Sequence, residues 1–276
     1  MTPAHDRSQG ILPVARALLC FGIVALVSTR VAAQAVTAAE ADRLFSRRDP
    51  ASVALAITLW QQQLDAHPAD AEAAWKLARA CYWTGANVDG ERAVRRTVLE
   101  RGMAAARRAI AIAPTRPEGH FWLAANMGML AELFGRREGL RYRADIRQGL
   151  ERTIASDPAF LHGAAQRMLG RWYASVPTMF GGDKKKGEAH LRTAVADKPD
   201  SAIALVLLAE LLIATGRPVE ARPLLVAAAA APDDPDWAPE DQRFRERARV
   251  LLSGRRPTGQ PESRGVCGVP DEDSGG

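Results

Sequence analysis

The segment AITLWQQQLDAHP, residues 56–68, carries the pattern on which the fold depends. Ala56, Trp60 and Gln63 are spaced by four and three residues, so they lie on one face of an α-helix, and Pro68 follows five residues later. Proline cannot donate the next helical hydrogen bond, so it ends such a helix. The same spacing recurs in residues 102–114, 146–158, 187–199 and 220–232. Five copies of one pattern indicate a repeat protein.

A second helical pattern follows each of the first four prolines. After Pro68 its apolar face holds Leu77, Ala78 and Cys81, and equivalent residues stand at the same offsets after Pro114 and Pro199. After Pro158 the match is displaced by two residues, which predicts a small insertion. These helices should end in turns such as Thr84-Gly85 and Thr215-Gly216. The sequence therefore predicts an all-α solenoid of helix pairs.

The segment after the last repeat predicts a capping helix. Phe244, Ala248, Leu251 and Leu252 share one helical face, and Pro239 suits the first turn. A solenoid needs such a helix to cover its terminal repeat. We expect the helical domain to occupy residues 34–253, followed by a disordered tail over residues 254–276, where Pro, Gly, Ser and charges dominate.

Two sets of residues resemble known families. Trp75-x6-Tyr82 and Leu169-Gly170-x2-Tyr173 resemble the tetratricopeptide repeat (TPR), and with the proline-terminated patterns the resemblance covers about residues 50–232. The segment Pro177-x3-Gly181-Gly182-Asp183 resembles the Pro-x3-Gly-Gly segment of the periplasmic T-component (TatT-like) of TRAP transporters and, more distantly, regulators of microtubule dynamics. The resemblance to T-components implies a helical-repeat protein that partners an extracytoplasmic solute-binding protein.

The first 33 residues have the features of a secretory signal peptide. Arg7 and Arg16 precede an apolar run of residues 17–27, and small residues then allow cleavage near Ala33 or Ala35. The apolar run is shorter than the ~20 residues that span a bilayer. We expect a periplasmic or secreted protein, and membrane attachment only if the signal is retained. Arg30 keeps that alternative open.

The residues that usually carry chemistry do not stand at productive spacings. No His-x3-His or Cys-x2-Cys pair occurs, and Gly187 is followed by Glu188-Ala189 where a phosphate-binding loop requires Lys-Ser/Thr. No serine lies in a glycine-flanked elbow. We predict no catalytic residues, no metal site, no cofactor and no enzymatic activity. The net charge is +5, but aromatic residues are not interleaved with the basic ones, so we predict no nucleic-acid binding either.

Binding surfaces are then the expected functional features. The candidates for partner or ligand binding are Tyr82, Trp83, Phe121, Trp122, Asn126, Trp172 and Tyr173. Core packing is the competing interpretation of the aromatics, because repeat proteins use such residues inside the stack. Asn126 must find hydrogen bonds to a turn or to a ligand. The structural motif consists of Pro177, Gly181, Gly182 and Asp183.

Two functional hypotheses follow. In the first, the chain is an exported scaffold for protein–protein interaction that docks another envelope protein, such as a TRAP solute-binding protein. In the second, a concave groove or pore holds a small organic anion. The sequence leaves open the identity of the partner, the oligomeric state and which aromatics face the groove.

Overall fold

A computed structural model describes residues 38–234 and 237–254. The predicted signal peptide and the tail beyond residue 254 lie outside the described residues. The described chain is helical without a strand, and it divides into two compact units, one up to Pro68 and one from Ala69 onward. None of the described helices is long and apolar enough to cross a membrane.

The first unit contains α1, residues 38–46, and α2, Pro50–Ala66. The Asp49 carboxylate accepts a hydrogen bond from the Ser52 backbone N–H at 2.8 Å and caps α2, while proline occupies its first turn. Phe45 of α1 and Trp60 of α2 pack with ring centroids 5.7 Å apart. The large residue of the first repeat pattern is therefore buried, as its spacing indicates.

The described part of the second unit contains four helix pairs and a final helix. The pairs are α3 (Ala71–Asn87) with α4 (Arg92–Ile112), α5 (Pro117–Phe134) with α6 (Arg136–Ser156), α7 (Ala164–Ser175) with α8 (Lys184–Asp197), and α9 (Ala202–Ala214) with α10 (Pro218–Ala230). The last helix is α11, Ala238–Leu252, and a 3₁₀ turn at Thr178–Phe180 separates α7 from α8. The second helix of each pair packs on the first helix of the next. The predicted all-α, TPR-like architecture is confirmed.

The repeat prolines end their helices as predicted. Helices α2, α4, α6, α8 and α10 each end two residues before the proline of their pattern. The single residue between the end of each helix and its proline has an extended or nearly extended backbone, as at Lys198 with φ −143° and ψ 87°. Steric conflict between a proline ring and the preceding residue disfavours the helical conformation there.

One predicted turn is wrong and one predicted insertion is confirmed. Gly85 does not end a helix, because α3 continues to Asn87. A Cβ at Gly85 would lie 2.4 Å from Leu99 Cδ2, so glycine at this position accommodates the close approach of α4. The two-residue displacement of the helical pattern after Pro158 corresponds to a turn in which Leu161, His162 and Gly163 have left-handed backbone conformations, with φ of 46°, 53° and 74°.

The predicted capping helix does more than cover the last repeat. α11 packs on α10 and α9, and its Arg247 pairs with Glu210 of α9. It also reaches the far end of α3, where Asn87 Nδ2 donates to Glu240 Oε1 at 3.2 Å and Asn87 Oδ1 accepts from Arg243 at 2.9 Å. The final helix therefore lies across the first helices of several pairs.

Candidate functional site

The seven residues predicted to bind a partner are all buried. Their exposed fractions do not exceed 8% for Tyr82, Trp83, Phe121, Trp122, Asn126, Trp172 and Tyr173. They belong to α3, α5 and α7, which are the first helices of successive pairs. Aromatic residues at helical spacing are explained by packing between these helices. A direct role for them in binding stays a prediction.

An aromatic cluster joins three of the helices in the second unit. The Trp122 ring lies 5.6 Å from Tyr82 and 4.9 Å from Phe121, measured between ring centroids. Trp122 also stacks on Trp237, which directly precedes α11, at 6.3 Å. Two members of the cluster, Tyr82 and Trp237, also line a cavity.

Asn126 connects neighbouring helices through its amide. Its Nδ2 donates to Trp122 O at 2.7 Å and to Ala78 O of α3 at 3.1 Å. Its Oδ1 is buried without a hydrogen-bond partner among the described residues, and a Cβ at Gly102 would lie 2.3 Å from that atom. The contacts of this amide are to the backbone of α3 and α5.

Trp172 and Tyr173 lie between α7 and its neighbours. The Tyr173 ring stacks on His190 of α8 at 5.5 Å and its hydroxyl donates to Glu151 Oε1 at 3.3 Å. Burial lowers the pKa of His190, so its neutral form is favoured. Trp172 lies beneath the 3₁₀ turn, since a Cβ at Gly181 would be 3.5 Å from its ring.

The Pro177–Asp183 segment is held by its own backbone. Phe180 N–H and Gly182 N–H both donate to Pro177 O, at 2.8 and 3.2 Å, and Asp183 N–H donates to Tyr173 O at 2.9 Å. Gly181 has a φ of 99°, a conformation that side chains disfavour. The Asp183 carboxylate accepts hydrogen bonds from Lys185 N–H and Lys186 N–H and so caps α8.

Two large apolar side chains project from this rigid segment. Met179 is 82% exposed and Phe180 is 37% exposed, with the Arg143 guanidinium 5.5 Å from the Phe180 ring centroid. Sequence reasoning identified the turn but missed these two residues. A turn without helical periodicity gives no signal for the direction of its side chains.

A cavity of about 480 Å³ lies between α3, α5, α7, α9 and α11 of the second unit. Its apolar wall includes Tyr82, Met129, Met168, Leu207, Trp237 and Phe244. Its basic residues are Arg95, Arg167, Arg171, Arg243 and Arg247. Its acidic residues are Asp89, Glu132 and Glu240. An apolar wall with a few charged groups is typical of a small-ligand site.

Within residues 38–234 and 237–254, no three His, Cys, Asp or Glu side chains are placed to hold a metal ion. Cys81 is fully buried, and burial raises the pKa of its thiol to about 12, so the thiol stays protonated.

Comparison with protein families identifies the chain. The model of regulator of microtubule dynamics protein 1-3 matches residues 37–189, more than half of the chain. The chain belongs to this family. A TPR model matches residues 182–239 of this family member, so the two models overlap at the end of the Pro177–Asp183 segment and the start of α8. A TatT-like match does not appear among these findings.

A solved structure supports the same fold. The TPR protein TTC0263 of Thermus thermophilus is 21% identical, with a TM-score of 0.57, covering 80% of this family member and 99% of that chain. A structure of MamA protein is 15% identical with a TM-score of 0.49, and the match covers 78% of this chain and 94% of the MamA chain. No curated protein matches. The likeness to TTC0263 establishes a TPR-like scaffold, an architecture consistent with protein–protein interaction.

The cavity residues of this family member were largely missed by sequence reasoning. Tyr82 is the one predicted residue that lines the cavity, while Arg167 and Arg171 were not singled out. Both arginines lie on α7, one helical turn apart. Spacing alone does not distinguish them from the many exposed arginines of the chain.

Proposed function

We propose that this chain is an exported scaffold that docks a second envelope protein on the turn formed by residues 177–182. The observation that carries the proposal is the pair Met179 and Phe180, presented to solvent by a backbone that its own hydrogen bonds fix. Rigid apolar side chains bind with little loss of conformational entropy, which is why such residues dominate interfaces.

The surroundings of the turn define the chemistry of the partner. Arg143 stands beside Phe180, and Lys184 and Lys185 begin α8 immediately after the turn. An apolar pocket rimmed by carboxylates would complement this surface. Basic residues at the rim would mainly speed association and select the partner, whereas Met179 and Phe180 would carry most of the binding free energy.

The specific partner that we propose is a solute-binding protein of a TRAP transporter, with the chain acting as a T-component. The resemblance of the Pro177–Asp183 segment to T-components supports this identity. The signal-like residues 1–33 support a periplasmic or secreted location, where such proteins act. The scaffold would act by binding alone.

The test is capture of the partner with the full chain and its turn variant. Met179→Asp places a charge in the proposed interface, and Val219→Asp is a matched control, because Val219 is 85% exposed on α10. After crosslinking in an envelope extract, the unchanged chain and Val219→Asp should recover the same stoichiometric protein. Met179→Asp should recover at least about tenfold less, the effect of losing one interface hot spot.

Two outcomes would overturn parts of the proposal. Equal recovery with Met179→Asp would exclude the turn as the docking surface. A stoichiometric partner that is not a solute-binding protein would refute the TRAP assignment while leaving the docking surface intact.

A further inference from the structure

The cavity of the second unit contains a buried arginine that makes no hydrogen bond or ion pair with the described residues. Arg167 is 5% exposed, and among the described residues its guanidinium makes no hydrogen bond and no ion pair. The guanidinium carbon lies 4.9 Å from the centroid of Trp237. Burial lowers the pKa of Arg167, and the carboxylates of Asp241, Asp234 and Glu240 attract it without touching it. A buried guanidinium without hydrogen bonds is costly.

A second arginine of α7 is available on the same wall. Arg171 follows Arg167 by four residues, so both side chains lie on one face of the helix, and both line the cavity. Arg171 too makes no hydrogen bond or ion pair with the described residues. The other three arginines of the cavity do have such partners. Arg95 donates to Gly85 O, Arg243 donates to Asn87, and Arg247 pairs with Glu210.

The acidic residues of the cavity do not balance its arginines. Glu132 lies among Arg171, Arg243, Arg247 and Arg95, and burial raises the pKa of its carboxyl. Its Oε2 is buried without a hydrogen-bond partner in the described structure. Glu240 is engaged by Asn87. The lining holds five arginines and three carboxylates, and two of the arginines are neutralised, Arg243 by Glu240 and Arg247 by Glu210 outside the lining.

We propose that this cavity binds a small organic carboxylate whose apolar body packs on the aromatic wall. The carboxylate would accept hydrogen bonds from Arg167 and Arg171, the two cavity arginines that make no hydrogen bond or ion pair with the described residues. Guanidinium groups suit carboxylates because their donors match both oxygens. The body of the ligand would lie against Trp237, Met168 and Leu207. A volume of about 480 Å³ suits a small molecule and is too small for a helix of a partner protein.

This site is separate from the docking turn, so the two proposals are independent. The cavity is lined by the first helices of the pairs and by α11, whereas Met179 and Phe180 lie on the turn between α7 and α8. A ligand in the cavity would bridge α7 and α11 and stabilise the folded state.

The experiment titrates the full chain with 3-phenylpropionate, indole-3-acetate and hexanoate by calorimetry, and follows the melting temperature. 3-Phenylpropionamide has the same shape without the charge, and inorganic phosphate has the charge without the apolar body. At least one carboxylate should bind and raise the melting temperature, while the amide and phosphate should bind at least about tenfold more weakly.

Arg167→Met separates binding from a structural role. Because the guanidinium makes no hydrogen bond or ion pair with the described residues, its removal should leave the melting temperature of the unliganded chain unchanged or higher, while carboxylate affinity falls about tenfold or more. Arg152→Met, on the exposed part of α6, is the control and should keep full affinity. Met179→Asp should also keep full affinity.

Three results would overturn the proposal. They are no binding by any of the three carboxylates, equal binding of the amide or of phosphate, and unchanged carboxylate affinity in Arg167→Met. A lowered melting temperature of unliganded Arg167→Met would likewise contradict it, because the arginine would then be a structural element.

Discussion

Gly182 shows at the scale of a residue how closely the backbone constrains the proposed docking turn. A Cβ added at this position would lie 1.6 Å from the carbonyl oxygen of Val176 and 3.2 Å from the carbonyl carbon of Pro177. No side-chain rotation relieves such a clash, because both atoms belong to the backbone. The neighbouring Gly181 is required for a different reason, its positive φ.

Gly182→Ala should therefore destabilise the fold and displace the turn. The expected loss in free energy of unfolding is about 1–3 kcal/mol, the usual cost of inserting a methyl group where no space exists. Urea unfolding followed by circular dichroism measures it. Gly90→Ala is the matched control, because nothing lies within 4 Å of the position that its Cβ would take, and it should change stability by less than about 0.5 kcal/mol. Equal stability of the two variants would contradict the steric account.

At the scale of an element, the first turn of α11 contains a buried carboxyl group, that of Asp241. Asp241 is 2% exposed, and its Oδ2 accepts a hydrogen bond from Asp234 N–H at 2.9 Å. Burial raises the pKa of Asp241 to about 6, although this hydrogen bond and the charges of Arg167 and Arg245 oppose the shift. Its carboxyl group therefore holds a proton in the folded state at pH values where the unfolded chain has lost it.

This shift predicts the direction of a pH effect on stability. Between the ordinary pKa of 3.8 and about 6 the folded state binds more protons at Asp241, so this residue's contribution to stability decreases as the pH rises through that window. Asp241→Asn keeps an acceptor oxygen and cannot ionise, so its unfolding free energy should fall less than that of the unchanged chain from about pH 4 to about pH 6.

Unfolding free energies at half-unit pH steps test this prediction. Asp200→Asn, at an exposed position, is the control and should follow the unchanged chain. Parallel curves for Asp241→Asn and the unchanged chain would show that the first turn of α11 does not titrate in this range.

At the scale of the whole molecule, export is the untested expectation on which the proposed partner depends. A chain secreted in a bacterial host should be found in the periplasmic fraction with a mature N-terminus at Gln34 or Val36, following cleavage after Ala33 or Ala35. The intact mass of the secreted chain distinguishes an N-terminus at Gln34 from one at Val36. Replacing both Ala33 and Ala35 by lysine should block cleavage, because the peptidase requires small residues there. A full-length mass for the unchanged chain would support a retained signal anchor.

The seven predicted binding residues show where sequence reasoning stops. Six of them are aromatic, and aromatic side chains at helical spacing are compatible with burial and with binding; the structure places all seven residues in the interior. Helical periodicity identifies the face of a helix that meets other helices. It does not tell whether a space remains between them, which depends on the packing of all the helices around it.

The helix pairs could be predicted from the amino-acid sequence because their signals are local. A proline ends each second helix, and steps of three and four residues define each buried face. The position of α11, and hence the cavity, depends instead on tertiary contacts. Asn87 and Glu240, which meet there, are 153 residues apart in the chain, so no local preference of either residue specifies their contact. The surroundings of Arg167 follow from the same assembly, because they come from helices distant in sequence.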